Sequence, residues 1–273
     1  RKLETEDPSF VTTHDALTHE LVISGMSELH LQVLEARLER RYGVQIETRL
    51  PRIAYQETIS KSAEGHFRHR KQSGGRGQFA EVSLRVKPAV PGSGIVFVDK
   101  VVGGAIPRNF IPAVEKGIRE VCEIGILTQS RVVDVEVELC DGKFHAVDSD
   151  EASFRRAGAR AFRDGFEKAS PVLLEPILKV EIHVPANDAG VIFADITSQR
   201  RGHVVDQTSE DDGHTTVIEA TVPLACMQTY QRDLKSQTAG EGTYSVEPLD
   251  YSAMPKGEQT RILAAATLEH DDD

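Results

Sequence analysis

The chain has 273 residues, of which 39% are hydrophobic and 27% charged, and its formal net charge is −11. This composition is typical of a globular protein with room for two or three domains, and no apolar run is long enough to predict a membrane span. The three cysteines form no C-x-x-C pair, which argues against a disulfide framework or a zinc site and fits a reducing cytoplasm. The acidic balance argues against general nucleic-acid binding.

The first segment, residues 1–50, is predicted to be an incomplete helix-and-sheet domain. LVISGM (21–26) has the composition of a strand, and leucines recur at helical spacing between an N-cap at Ser27 and a C-cap at Gly43. VQIETRL (44–50) predicts a second strand, and Pro51 marks a junction. Because the chain starts without Met or a signal peptide, we expect it to be cut from a longer protein.

The second segment, residues 51–175, alternates strands and helices. Apolar and polar residues alternate strictly over 80–87 and again over 132–139, which predicts half-buried strands. Residues 111–125 show the periodicity of an amphipathic helix closed by a glycine. A turn is predicted at Asp141-Gly142, followed by a helix that Asp148 begins, with Glu151 at capping-box spacing.

The third segment, residues 176–266, reads as strand, helix, strand, strand, helix, strand. This βαββαβ order predicts a ferredoxin-like domain, in which two helices cover one face of an antiparallel sheet. The end of the chain, residues 267–273, has the composition of a disordered tail. The predicted fold class is therefore α+β.

A glycine-rich, cationic stretch, RHRKQSGGRGQFAEV (68–82), is the main candidate for a binding site. It contains no G-K-[ST] and leads into a strand rather than a helix, so it does not fit a nucleotide-phosphate loop. The alternatives are a solvated loop, or a hairpin tip whose glycines allow close approach to RNA while Lys71 and Arg76 meet phosphates and Gln78 hydrogen-bonds sugars or bases.

Two further candidates have an ordinary explanation beside a functional one. His145 is either a solvated polar residue or a catalytic group acting with Cys140 or Asp148, although no orienting third residue is identifiable. The segment SQRRGH (198–203) either compensates the dipole at a helix C-terminus or forms an RNA-facing rim. No His/Asp/Glu pattern in the sequence predicts a metal site.

Ten short motifs occur along the chain in an order that resembles the bacterial elongation factor G family of translational GTPases. They are EDPSF (6–10), LVISGMSELHL (21–31), PRIAYQETI (51–59), QSGGRGQF (72–79), GGAIPRNFIPAVEKGI (103–118), DGKFHAVDS (141–149), LLEPILKVEI (173–182), RRGHV (200–204), VPLACM (222–227) and YQRDLKSQTAGEG (230–242). The sequence departs from the family pattern at Ala80 and Glu81 and in the segment TAGEG, where Glu241 replaces a cation.

The resemblance implies three domains: an incomplete, ferredoxin-like domain III at 1–50, domain IV at 51–175 and a ferredoxin-like domain V at 176–266. Domain IV is expected to be an elongated split β-α-β fold of the ribosomal-protein type, whose tip faces tRNA and mRNA in the decoding region. The resemblance assigns one loop of this tip to Ser73, Gly74, Gly75, Arg76, Gly77 and Gln78. It assigns the neighbouring loop to Asp141, Gly142 and His145, and an rRNA-facing segment of domain V to Arg200, Arg201 and Gly202.

The resemblance also implies partners and activity. The expected partner of a monomeric, cytoplasmic chain is the ribosome, through its rRNA, its proteins and the tRNA–mRNA complex, with no membrane contact. No cofactor is expected in this chain and no catalysis by it, whereas the full-length protein is expected to bind GTP and Mg²⁺, hydrolyse GTP and promote translocation. Ribosome recycling or protection remains an alternative within the family, and a nucleotide-binding enzyme remains one outside it.

Overall fold

The computed structural model describes residues 5–15, 18, 20–72, 77–210 and 213–271, with the backbone alone for 267–271. The chain divides into two compact units, one made of residues 1–54 with 177–249 and the other of residues 55–176 with 250–273. Nowhere in the described ranges is a helix long and apolar enough to cross a membrane.

The first unit begins with a small helix-and-sheet module. Strands β1 (Val11–His14) and β2 (Leu21–Ser24) pair antiparallel and are followed by helix α1 (Glu28–Tyr42). The predicted caps are confirmed, because the Ser27 side chain accepts a hydrogen bond from the His30 amide and Gly43 adopts the left-handed conformation at φ 66°. A glycine takes this conformation without the steric cost of a Cβ atom.

The strand predicted at residues 44–50 is wrong. These residues have no strand assignment, and Val44 and Leu50 are each about half exposed. A strand requires a neighbour to which its backbone groups can bond. The apolar alternation of this segment therefore has no sheet to join within the described residues.

The second unit is built on a four-stranded sheet. Its elements are β3 (Gln56–Ile59), β4 (Ala63–Lys71), β5 (Gln78–Pro88), β6 (Ile95–Asp99), α2 (Ile111–Ile124), β7 (Val135–Lys143) and α3 (Glu151–Lys168). The sheet order is β4-β5-β7-β6, in which β6 and β7 are parallel and the other pairs antiparallel. The last strand, β7, thus lies between β5 and β6, which precede it in the chain.

The core of this unit lies between one face of the sheet and the two helices. The predicted inward row of β5, from Ala80 to Val86 at every second residue, is at most 2% exposed. From α3, Phe154, Phe162 and Phe166 are fully buried in the same cluster. Helix α3 begins later than predicted, because the residue that caps it is Asp150, whose carboxylate accepts from the Ser153 amide, and not Asp148.

A buried carboxylate organises the loop after α2. Glu57 of β3 is fully buried, and its two oxygens accept hydrogen bonds from the amides of residues 126, 127, 128 and 130 at 2.8–3.2 Å. Because a buried charge is costly unless it is well bonded, these four donors are what make the position acceptable for a glutamate.

The opposite face of the sheet carries a second acidic centre. The Glu138 side chain on β7 is 2% exposed, and its Oε1 accepts from the ammonium groups of Lys87, at 2.5 Å, and of Lys100. The hydrogen bond from Lys100, followed by that from Lys87, lowers the pKa of Glu138 to about 2.

Residues 171–253, of which 177–249 belong to the first unit, follow the predicted βαββαβ order. They comprise β8 (Pro171–Pro185), α4 (Ala189–Ala194) running into a π-helical turn (Asp195–Gln199), β9 (His203–Glu210), β10 (Thr215–Pro223), α5 (Tyr230–Gln237) and β11 (Thr243–Ala253). The strand order β11-β8-β10-β9 places the first strand beside the last, as in ferredoxin-like domains. The prediction of this fold is confirmed.

The chain ends in helix α6 (Lys256–Asp271), which belongs to the second unit and is tied to the start of β8 by the Gln259 side chain, which donates to the Pro171 carbonyl at 3.1 Å. The backbone of this helix extends to residue 271, into the segment 267–273 that was predicted to be a disordered tail. The alanines, leucines and glutamate of ILAAATLEH favour a helix, which the sequence prediction overlooked. Residues 272–273 lie outside the described ranges.

Candidate nucleic-acid interface

Two loops of the second unit lie at the same end of its sheet. The glycine-rich loop joins β4 to β5, and residues 144–150 join β7 to α3. Since β5 and β7 are antiparallel and Glu81 pairs with Lys143, the start of β5 lies beside the end of β7. We call these two loops the tip. Of the predicted tip residues, Ser73, Gly74, Gly75 and Arg76 lie outside the described residues, whereas Gly77, Gln78 and His145 lie within them.

Hydrogen bonds join the two loops directly. The Phe79 amide donates to the Asp148 carbonyl at 2.9 Å, and the Ser149 hydroxyl donates to the Phe79 carbonyl at 2.7 Å. The Gly77 amide donates to the Asp148 carboxylate at 3.1 Å. A Cβ atom at Gly77 would lie 3.1 Å from the Asp148 carboxyl carbon, so this position has little room for a side chain. The glycine-rich loop is therefore anchored to its neighbour at its C-terminal end.

His145 is exposed but held by its backbone. Its amide donates to the Ser149 hydroxyl at 2.8 Å, and its Nδ1 lies 3.2–3.3 Å from the amides of Val147 and Asp148 and 3.3 Å from the Asp148 carboxylate. In the neutral ring Nδ1 accepts from these amides, which leaves the proton on Nε2. Phe144 and Val147, on either side, are also about half exposed or more. The loop thus exposes an imidazole and two apolar side chains.

Gln78 is positioned by the protein rather than left free. Its carboxamide oxygen accepts from Arg156 Nη1 of α3 and lies within hydrogen-bond distance of His69 Nε2, both at 3.0 Å. Because the oxygen is occupied, its NH₂ group is the part that can donate to a ligand.

Glu81, one of the departures from the family pattern, is a charge centre beneath the tip. It lies 3.2 Å from His66 Nε2, 3.4 Å from Lys143 Nζ and 3.8 Å from Arg68 Nε. Burial would raise the pKa of Glu81, but the hydrogen bond with His66 and the charge of Lys143 outweigh burial, and the pKa lies below its usual range. Arg68 also lies over the Phe79 ring, 5.4 Å from its centroid. Glu81 is thereby paired with cations of the two strands that flank β5.

Asp141 and Gly142 do not form the predicted turn, and that prediction is wrong. Both lie within β7, opposite Ser83 and Val82, and the ladder has an irregularity between Ser83 and Leu84. A Cβ atom on Gly142 would lie 2.3 Å from the Glu81 carbonyl oxygen and 2.6 Å from Ile106. An Asp-Gly pair often marks a turn, but here the glycine permits close packing inside a strand.

Of the two partners predicted for a catalytic His145, the described part of the structure brings Asp148 within 3.3 Å of its Nδ1 but does not join Cys140 to it. The Cys140 thiol donates to the carbonyl of Glu138 at 3.5 Å, and no bond joins Cys140 to His145 among the described residues. Across the same residues, no group of three or more His, Cys, Asp or Glu could hold a metal ion. The arrangement is suited to binding and offers no nucleophile with an orienting base.

In the ferredoxin-like domain, Arg200 is buried instead of facing outward. Its guanidinium donates to the carboxylates of Asp195 and Asp233 and to the Cys226 carbonyl at 2.6–2.8 Å, and lies over the Tyr230 ring at 4.5 Å. These contacts occupy its donors within the domain. A buried guanidinium held in this way does not support the rRNA contact expected of Arg200.

The remaining residues of this segment close the turn after α4. Arg201 has a left-handed backbone at φ 54°, and the Gly202 amide donates to the Ile196 carbonyl at 2.8 Å. Both are partly exposed, so they stay candidates for a contact.

Comparison with known proteins places these features in a family. Models of elongation factor G match domain III at residues 1–50, domain IV at residues 51–170 and the C-terminus at residues 172–262. A protein of known crystal structure from Thermus thermophilus is 36% identical and superposes with a TM-score of 0.81 over 98% of this chain. The chain spans 40% of the length of that protein.

The three matches follow one another along the chain in the order domain III, domain IV and C-terminus, and together they cover residues 1–170 and 172–262. The chain belongs to the elongation factor G family.

Proposed function

We propose that this chain is the ribosome-binding part of an elongation factor G-like translational GTPase that promotes GTP-dependent movement of tRNA and mRNA. The observation that carries the proposal is the pair of loops at one end of the domain IV sheet, which are hydrogen-bonded to one another and present an exposed histidine. A site fixed at the end of a rigid sheet suits recognition of RNA by shape.

The proposed tip contacts use groups of different kinds. The Gln78 NH₂ and the His145 Nε2–H are donors for phosphate, sugar or base oxygens, and the glycines of residues 74–77 let RNA approach the backbone closely. Arg76 supplies the charge for a phosphate contact. The chain breaks no bond in this scheme: it holds the tRNA–mRNA complex after movement and hinders its return.

GTP and Mg²⁺ enter the proposal only through the complete protein, where hydrolysis drives the conformational change that brings the tip into place. The proposed partners are rRNA, the tRNA–mRNA complex and ribosomal proteins, the compartment is the cytoplasm, and the chain acts as a monomer. Arg201 and Gly202 are the proposed rRNA-facing residues of domain V.

Binding of the 273-residue chain to ribosomes tests the proposal. Co-sedimentation should show binding that weakens steeply as salt rises, because phosphate contacts release counterions. Gln78→Ala and His145→Ala should weaken binding, whereas Arg119→Gln, at an exposed arginine on α2 paired with Glu115, should not. Binding that does not depend on salt would contradict the proposal.

Two other functions make different predictions. A recycling or protection factor would bind ribosomes without moving mRNA. A nucleotide-binding enzyme would show affinity for GTP or ATP in calorimetric titration of the chain alone. The loop lacks G-K-[ST], and the Cys140 thiol is bonded to the Glu138 carbonyl, so neither feature supports this alternative.

A further inference from the structure

A second cationic surface, separate from the tip loops, runs along helix α3. Arg156, Arg160 and Arg163 recur at i, i+4 and i+7, so they share one face of the helix and span about 10 Å of its length. The opposite face carries the buried phenylalanines, Phe154 among them, that pack on the sheet. We call these three arginines the α3 stripe.

The last two arginines of the stripe, Arg160 and Arg163, are not paired with the acidic side chains that the structure describes. Arg160 is exposed and Arg163 half-exposed, and within the described ranges neither forms an ion pair. The acidic residues close to them in sequence do not form ion pairs with them. Asp164 accepts from Lys168 at 2.6 Å and from the His66 amide at 3.0 Å, and Glu167, the next residue on this face, pairs with neither arginine.

By contrast, the arginine beside the stripe is paired. Arg155 lies one residue before Arg156, and its Nε is 2.6 Å from the Glu120 carboxylate. In a chain of net charge −11, cations are commonly matched in this way, as Arg119 is by Glu115 on α2. An unmatched pair of arginines on one helix face is therefore a local excess of positive charge.

The stripe is continuous with the tip. Arg156, its first member, donates to Gln78, and Gln78 lies opposite Lys71 in the β4–β5 ladder. The helix is also fixed closely against β4, because a Cβ atom on Gly65 would lie only 2.1 Å from the Ala161 carbonyl oxygen. A ligand that reaches the tip loops and follows α3 would therefore meet Arg160 and then Arg163 at fixed positions.

We propose that Arg160 and Arg163 bind the phosphate backbone of an RNA strand that continues from the tip along α3. The inference rests on the proposed function, since the RNA at the tip supplies the strand. Arginine offers a planar fork of donors that matches phosphate oxygens, and two such groups a helical turn apart bind without reading base sequence. An acidic protein segment is negatively charged like RNA, but the continuity of the α3 stripe with the tip favours RNA.

The salt dependence of ribosome binding tests this inference. Each phosphate contact contributes about 0.7 to 0.9 to the slope of log K against log salt, so Arg160→Gln with Arg163→Gln should reduce the slope by about 1.4 to 1.8. The matched control is Arg155→Gln with Arg119→Gln, which removes the same charge from paired positions and should leave the slope unchanged. Circular dichroism checks that both double variants fold.

The outcomes separate this inference from the proposed function. A reduced slope in the stripe variant alone supports the inference. An unchanged slope in that variant, with weaker binding by His145→Ala, overturns the stripe and leaves the tip intact. If the unmodified chain does not bind ribosomes, both fail.

A cross-link identifies the partner of the stripe. A photoreactive benzophenone amino acid in place of Glu167 lies on the same helix face and leaves all three arginines present. Attachment to RNA supports the inference, whereas attachment only to an acidic ribosomal protein overturns it.

Discussion

Glu57 gives the sharpest prediction of stability, because four backbone amides depend on one side chain. Oε1 accepts from residues 127, 128 and 130, and Oε2 from residues 126 and 127. In Glu57→Gln the amide oxygen can replace Oε1 and keep three donors bonded, but its NH₂ then faces the Ile126 amide. The Ile126 amide and the new NH₂ group are then both buried donors without an acceptor, and the bonds that remain are no longer made to a charged group, so we expect a loss of about 3 kcal/mol.

Glu57→Ala removes all four bonds and leaves a cavity, but the loop can relax so that some amides reach water. We expect a loss of about 4 kcal/mol. Glu123→Gln is the control: it breaks an exposed pair with Arg131 at 3.0 Å, and we expect a change below about 0.5 kcal/mol.

Urea unfolding followed by far-ultraviolet circular dichroism measures these losses, because the chain has no tryptophan to serve as a fluorescence probe. Amide hydrogen exchange then locates the effect, since protection should fall at residues 126–130 before it falls elsewhere in the unit. If Glu57→Gln were as stable as the unmodified chain, with these amides still protected, the assignment of the loop to this carboxylate would be refuted.

Three further predictions concern single side chains. The pKa of Glu138 is lowered from 4.5 to about 2, so its stabilising effect should be complete above pH 4.5 and disappear as the pH falls towards 2; an acid titration of unfolding should show this loss, and Glu138→Gln should remove it. Asp150→Ala should cost about 1 kcal/mol in urea unfolding because it removes the α3 cap, whereas an unchanged stability would contradict the assignment of the cap. Ser149→Ala should lower the thermal midpoint modestly and speed hydrogen exchange at the Phe79 and His145 amides; unchanged exchange would show that the hydroxyl does not join the loops.

Periodicity predicted the regular parts of the fold because one face of each element is buried. The alternation in β5 and the helical spacing in α1 and α2 follow from that burial, and the βαββαβ order gave the correct ferredoxin-like domain. The strand predicted at residues 44–50 is wrong because alternation shows that a strand could form, but not whether a partner strand is present.

Local signals were less reliable at the candidate site because they depend on packing between distant residues. The Asp141-Gly142 pair has the composition of a turn, yet the approach of Ile106 and the pairing with β5 keep it in a strand. Nothing in the sequence separates Arg68 and Arg200 from the other cations. Their carboxylate neighbours are Glu81, on the adjacent strand, and Asp195, across a turn, and the fold alone brings them together. Only the structure shows which arginines are already paired.

The nearness of the two tip loops was expected from the family resemblance alone. The bonds that join them involve Phe79 and Ser149, which no sequence motif singled out as site residues. A serine hydroxyl between two loops has no periodic pattern, so only its placement in the fold reveals its role.

Movement of mRNA on the ribosome tests the central proposal most directly. The complete factor containing this chain would be added with GTP to ribosomes before translocation, and the one-codon shift of the toeprint followed in time for the unmodified protein, His145→Ala and the control Arg119→Gln. We predict a rapid shift with the unmodified protein and the control, and a slower shift with His145→Ala. Ribosome binding without any shift, or a shift unaffected by His145→Ala, would contradict a translocase that acts through these loops.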